Sequence, residues 1–269
     1  MHGIEWLNRP GTVGESWNPI TGCTPISEGC LHCYARRMAK RLAGRFGYPE
    51  APYGFLVTAH PDKLDEPFRW RKPRTVFVVS MGDLFHEQVS WQDIERVFSV
   101  MTAHENRKHT FIILTKRAKR MHEFVTECYP GLDRCSPHIW GGVTCENQER
   151  ADERVPELIN TPFAVRFVSA EPMLGPVDLT PWLGFLPTRL WGMSSAEAGT
   201  WIDDHGPYLD WVPCGFETGP GARPGDLGQA RDLRGQCKAA DVPFFWKRAG
   251  PGQETPTDLL VRQWPGEAT

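Results

Sequence analysis

Short apolar, β-branched runs recur along the chain, and most stop at a small or polar residue before a helical stretch begins. They fall at residues 54–58, 75–80, 110–115, 138–144, 164–169, 211–215 and 243–247. Near-continuous apolar runs of this length are what strands covered on both faces require. Between them, residues 91–105 carry Ile94, Val97, Phe98 and Met101 at three- and four-residue spacing, with Ser90 as N-cap. Residues 117–128, 147–159 and 226–240 repeat that helical pattern. Strands alternating with helices predict βαβ units and a parallel sheet. Adding a short strand over 16–21 gives about eight strands, the number of a complete or partial (β/α) barrel with mostly parallel strands. A doubly wound open sheet fits the same pattern and remains open at this point. Residues 176–210 break the rhythm with Gly, Pro and Trp and read as an insertion or lid within one domain spanning 1–269.

Bulk properties narrow the setting. The formal charge is −3, so any polyanion must be met by a local patch. No run approaches the roughly 18 apolar residues of a membrane span, and the first residues lack the pattern of a secretory signal, so the cytoplasm is expected. Eight cysteines in a reducing compartment are better read as metal ligands or redox groups than as disulfides.

Three of those cysteines stand close together. Cys23, Cys30 and Cys33 are separated by six and two residues, and Gly22, Pro25 and Gly29 supply turns that let thiolates face a common volume. Residues 34–42 read as a helix, which puts the last thiolate near a helix N-terminus, where the dipole favours negative charge. Structural zinc normally closes with four ligands. Three thiolates with no obvious fourth suit a four-iron cluster with one iron free for a cofactor. A zinc site that recruits His32 or a distant cysteine is the alternative.

The segment from Trp17-Asn18-Pro19 to Cys33-Tyr34-Ala35 resembles a phage-associated family of radical S-adenosylmethionine (SAM) proteins with a widened cysteine loop. Met81-Gly82-Asp83-Leu84-Phe85-His86, Leu114-Thr115-Lys116-Arg117, Trp140-Gly141-Gly142-Val143-Thr144 and Ser169-Ala170-Glu171-Pro172-Met173-Leu174-Gly175 extend the likeness. Gly219-Pro220-Gly221-Ala222-Arg223-Pro224 and Pro243-Phe244-Phe245-Trp246-Lys247 carry it nearly to the C-terminus. The resemblance, distantly shared with spore photoproduct lyase, implies a radical SAM-type barrel. It also implies a [4Fe-4S] cluster on Cys23, Cys30 and Cys33, SAM as cofactor, an external electron donor, and isomerase or lyase chemistry. One segment departs from the family: Cys214-Gly215-Phe216-Glu217-Thr218-Gly219 stands where Gly-Gly-Glu-Ser-Gly is expected.

A parallel barrel draws its functional groups from the C-terminal ends of its strands. Ser80, Gly82, Asp83, Thr115, Lys116, Thr144, Glu146 and Ser169 are therefore expected around the cofactor, and Glu171, Glu217 and Lys247 in catalysis. Asp83 is placed to accept from the SAM amino group, Lys116 to meet a carboxylate or phosphate, and Thr144 with Glu146 to approach the ribose. An Asx turn, a solvated helix start, a capping pair and, for Glu171, a structural ion pair are the respective structural alternatives. Cys145 and Cys214 read as buried free thiols, and Cys128, Cys135 and Cys237 as bystanders. Basic clusters at 36–45, 69–74 and 116–120, the second with Trp70 interleaved, together with the phage association make DNA the expected substrate. A small molecule or peptide substrate, and a zinc-stabilised nucleic-acid-binding protein without catalysis, are the competing readings.

Overall fold

The structure is a computed structural model that describes residues 4–184 and 208–266. Its main sheet contains five parallel strands. They are β1 (Val13–Trp17), β4 (Arg74–Val78), β5 (Thr110–Thr115), β6 (Ile139–Thr144) and β7 (Val165–Ser169), in that spatial order. A parallel pair, β8 (Val212–Cys214) and β9 (Phe244–Trp246), continues from β7 through bridges at Phe167–Trp211 and Ala170–Cys214. Each strand of this series therefore lies beside its predecessor in the chain. A doubly wound sheet reverses its order at a switch point; this series has no reversal.

The helices follow the expected rhythm. α1 (Tyr34–Leu42) comes after the cysteine loop, and α2 (Trp91–Thr102), α3 (Ala118–Cys128) and α5 (Gln148–Ile159) separate successive strands. A short α4 (Leu132–Cys135) precedes β6, and α6 (Leu227–Ala239) links β8 to β9. Ser90 caps α2 by accepting from Asp93 N, and Asn147 caps α5 by accepting from Arg150 N. None of the helices among the described residues is long and apolar enough to cross a membrane.

Strand alternation sends side chains to two cores. Val76, Val78, Phe111, Ile113, Val143, Val168 and Trp246 join the apolar faces of α2, α3, α5 and α6. Phe77, Ile112, Trp140, Phe167, Trp211 and Phe245 point the other way, onto Trp6, Leu7 and Trp264. Trp6 packs edge-on to Phe77 at 5.1 Å, and Trp264 donates its indole N–H to the Trp6 carbonyl at 2.9 Å. The second face is thus filled by aromatic rings from both ends of the chain. Burying an indole this way is worth several kcal/mol, provided the N–H finds a partner.

One expectation changes. The run at 54–58 is no strand of the main sheet; only β3 (Thr58–Ala59) forms, antiparallel to β2 (Ile20–Thr21). Its apolar residues instead cover the cysteine loop, where Phe55 joins Ala35, Ala39, Tyr48 and Met81. The segment expected as an insertion or lid, 176–210, is described only at its two ends. Its described flanks are core: Val177, Leu179, Leu183 and Leu209 are buried, and Leu209 N donates to Trp182 O. Residues 185–207 lie outside the described residues.

Candidate functional site

The cysteine loop begins with a close backbone approach. Gly22 has φ of +89°, and a Cβ there would lie 2.0 Å from Leu56 O. Its N–H donates to Met81 O, it bridges Gly82, and Cys23 N donates to Phe55 O. Gly82 is itself without room for a side chain, since a Cβ would meet Gly22 O at 2.8 Å. A single turn of 3₁₀ helix (Glu28–Cys30) follows, and Cys33 then stands at the N-cap of α1. The thiol expected at a helix start is there, because Arg37 N reaches back to Cys33 O.

Loops after successive strands hold this segment. From the loop after β5, Arg117 directs Nη1 to Cys23 Sγ at 3.5 Å and Nη2 to Thr24 O at 3.3 Å. Asp83, from the loop after β4, holds the same Nη1 at 3.1 Å and also accepts from Thr115 Oγ1, Lys116 N and Phe85 N. Glu146, after β6, has no solvent exposure. It accepts from Ser27 Oγ and pairs with Lys116 at 2.8 Å and Arg154 at 2.8 Å. Gly29 is needed there, since a Cβ would meet the Glu146 carboxylate at 2.4 Å. After β8, Glu217 grips Arg223 through both carboxylate oxygens, and Arg223 donates to Glu28 O at 2.9 Å.

The three thiols are free and half-buried. Burial pushes the Cys23 thiol up to about 12, with Asp83 adding to the rise and Arg117 opposing it. At Cys30 burial also works upward, but the Ile26 backbone contact, the Lys116 charge and the Ser27 hydroxyl outweigh it and hold the thiol below its ordinary value. Among the described residues no three His, Cys, Asp or Glu side chains converge on a point where a single ion would bind. A four-iron cluster makes a different demand, because each thiolate grips a different iron and the three must surround a volume. The chemistry of the donor set suits such a cluster: three free thiols in one loop, Arg117 and Lys116 beside two of them, and Arg37 Nη1 buried without a partner next to Gly219. His32, the candidate fourth zinc ligand, lies against Gly221 instead.

Beside the loop, a second group gathers where the strands end. Lys247 Nζ lies 2.7 Å from Glu171 Oε2, 3.2 Å from Ser169 Oγ and 4.4 Å above the Trp6 ring. Tyr34 donates its hydroxyl to Ser80 O while its ring stays half-exposed, and burial of the phenol, with Cys33 and Glu171 nearby, raises its pKa. Ser80 Oγ donates to Asn18, and Thr144 is buried with its carbonyl on Arg154.

The expected residues take the following places. Asp83 has both carboxylate oxygens engaged by protein donors, so it orients Arg117 and forms the Asx turn. Gly82 provides room for Gly22. Lys116 and Glu146 pair with each other at the base of the cysteine loop. Glu171 and Lys247 meet as an ion pair between the loops after β7 and β9, whereas Glu217 braces the 217–223 loop. The basic cluster at 116–120 is largely internal, with Arg120 donating to His86 O and Val89 O. Arg117, Ser27, Arg154 and Tyr34 are site residues that the strand-end rule missed. Arg117 was visible in the basic cluster at 116–120 and in a segment that carries the resemblance, and Tyr34 at the start of the helix after the cysteines; Ser27 and Arg154 gave no separate signal.

A family described as "Protein of unknown function (DUF5131)" matches residues 2–263. The chain belongs to that family. No curated protein and no solved structure matches it. Within this DUF5131 chain, the unusual Phe216 is explained by packing: it is buried edge-on to Trp246 at 5.2 Å and covers Gly225. The departure therefore alters the core beneath the loop, while the adjoining Glu217 keeps its hold on Arg223.

Proposed function

We propose that this chain is a radical SAM-type enzyme acting on a base in DNA, with a [4Fe-4S] cluster on Cys23, Cys30 and Cys33. One observation carries the reading: a loop of three free thiols sits at the strand ends of a parallel sheet wound in chain order, and is held by loops from successive strands. Functional groups of parallel α/β folds gather at that end. A partial barrel of radical SAM type is the architecture that accompanies this function. When bound, the cluster and SAM supply an electron from an external donor and a 5′-deoxyadenosyl radical.

The chain's own residues have separable tasks. Arg117 and Lys116 offset thiolate charge, and the Arg37 donor faces the same region. Asp83 and Glu146 keep those cations in place. Lys247 is fixed between Ser169 and Glu171 over an aromatic floor, which suits it to orient a substrate. Ser80, Thr144 and Tyr34 complete the polar rim.

Anaerobic reconstitution followed by incubation with SAM and dithionite tests the reading. About four irons and four sulfides per chain are expected, together with 5′-deoxyadenosine. Cys30→Ala should abolish both without unfolding the protein. Tight zinc, no visible absorption and folding that depends on zinc would favour the binding-protein alternative. Turnover of a small molecule or peptide in preference to DNA would replace the substrate and keep the chemistry.

A further inference from the structure

α1 packs on the protein mainly through small residues. Its buried face is made of Ala35 and Ala39, and these small residues bring its backbone against the loop at Gly54. Large apolar side chains just before and on the helix are nonetheless exposed, Leu31 at 69%, Tyr34 at 50% and Met38 at 47%, while Leu42 packs inward beside Ala39. Beyond the helix, Phe46 is 74% exposed in a left-handed conformation with φ of +52°. A bulky residue is strained there, and such strain concentrates at functional positions. Seven of the eleven large apolar side chains exposed among the described residues lie between Ile26 and Leu56, including Tyr53 and Leu56.

Charge is segregated onto the same stretch. Residues 29–49 contain Arg36, Arg37, Lys40, Arg41 and Arg45 and no Asp or Glu, in a chain whose total is −3. Lys40, Arg41 and Arg45 are exposed. The ion pairs found among the described residues include none of these five. Cations unneutralised by the protein, beside exposed aromatic rings, match a polyanion with unpaired π faces.

We propose that α1 and the turn after it bind a single strand of nucleic acid, with phosphates on Lys40, Arg41 and Arg45 and bases against Phe46, Tyr53 and Met38. The strand then leads to the start of α1, where Cys33 and Tyr34 stand. An intact duplex hides its base faces within the stack, so the exposed rings select the single strand. The identity of this strand as substrate rests on the function proposed above; the binding surface itself does not require the cluster.

The experiment uses the full chain without iron or SAM and follows fluorescence anisotropy of a labelled single-stranded oligonucleotide, its duplex, and phosphatidylserine vesicles. Single strand should bind about tenfold more tightly than duplex, and its log affinity should fall with log salt at a slope of roughly −2 for three phosphate contacts. K40E/R41E/R45E should weaken binding at least about tenfold and flatten that slope. Phe46→Gly should lower affinity about tenfold while keeping or raising Tm, since glycine takes a positive φ without strain. Equal or tighter duplex binding, preference for vesicles, or unchanged affinity in the charge-reversal variant would overturn the proposal. Strand binding by a chain that makes no 5′-deoxyadenosine would sink the radical SAM reading alone, and the converse would sink this one alone.

Discussion

Arg117 stands between Cys23 and Asp83, its Nη1 3.5 Å from the thiol sulfur and 3.1 Å from the carboxylate. The guanidinium is almost wholly buried, and its Nε pairs with Glu87 at 2.8 Å. A cation of this kind does two things: it neutralises a buried carboxylate, and it favours the ionised thiol.

Arg117→Gln should therefore lower stability by about 3 kcal/mol, because Asp83 is left buried without its counter-charge. It should also reduce iron loading on reconstitution. Arg117→Lys should not restore either property, since a point charge cannot span Cys23, Thr24, Asp83 and Glu87 together. Urea unfolding and iron analysis check both outcomes. Wild-type loading in the glutamine variant would remove Arg117 from the site.

Glu146 offers a contrast between buried and exposed pairing. Glu146→Gln leaves Lys116 without its carboxylate and the buried Arg154 with only the more distant Glu153 at 3.8 Å, and should cost about 3 kcal/mol. Glu28, partly exposed, meets Arg150 at 3.4 Å, so Glu28→Gln should cost no more than about 1 kcal/mol. Parallel urea titrations decide it, and equal losses would contradict the assignment of Glu146 as the anchor.

Trp6 seats Lys247 and plugs the second face of the sheet. Trp6→Ala should cost about 3–5 kcal/mol, because its contacts with Phe77, Phe167 and Trp211 leave a cavity that the sheet cannot close. A loss under about 1 kcal/mol would show that the N-terminal turn is not part of the core.

His109 gives a pH signature. Burial lowers its pKa to about 4, and its Nδ1 accepts from Arg74 N. Its stabilising contribution is therefore complete above about pH 6.5 and is lost as pH falls toward 4, up to about 2–3 kcal/mol. Asp210 runs the other way: burial raises it to about 6, so its contribution is complete below its ordinary value and lost as pH rises through 6. The readout must then be the difference between wild type and His109→Gln, which should shrink between pH 7 and pH 4. A difference constant over that range would remove His109 as the titrating group.

How much of this was legible in the chain depends on the range of the interaction. The parallel strands and α2, α3, α5 and α6 follow from apolar period, and the Ser90 cap from chemistry within three residues. Segment 54–58 looked like a strand because its composition is apolar and β-branched. Its hydrophobic surface is used instead against α1 and Met81, a choice that no local propensity encodes. Glu171 and Lys247 were each named from their places after strands, but the contact between them joins the loops after β7 and β9.

By itself the sequence determined that strands and helices alternate, that strands are apolar on both sides, and that three thiols share one loop beginning a helix. Those are consequences of spacing along the backbone. Only the tertiary structure decided that the strands wind in chain order, that aromatic rings from both termini fill the open face, and that Asp83 and Glu146 serve the cysteine loop. The physical reason is that a buried charge takes whichever partner the packed chain brings within reach, and that partner lies tens of residues away.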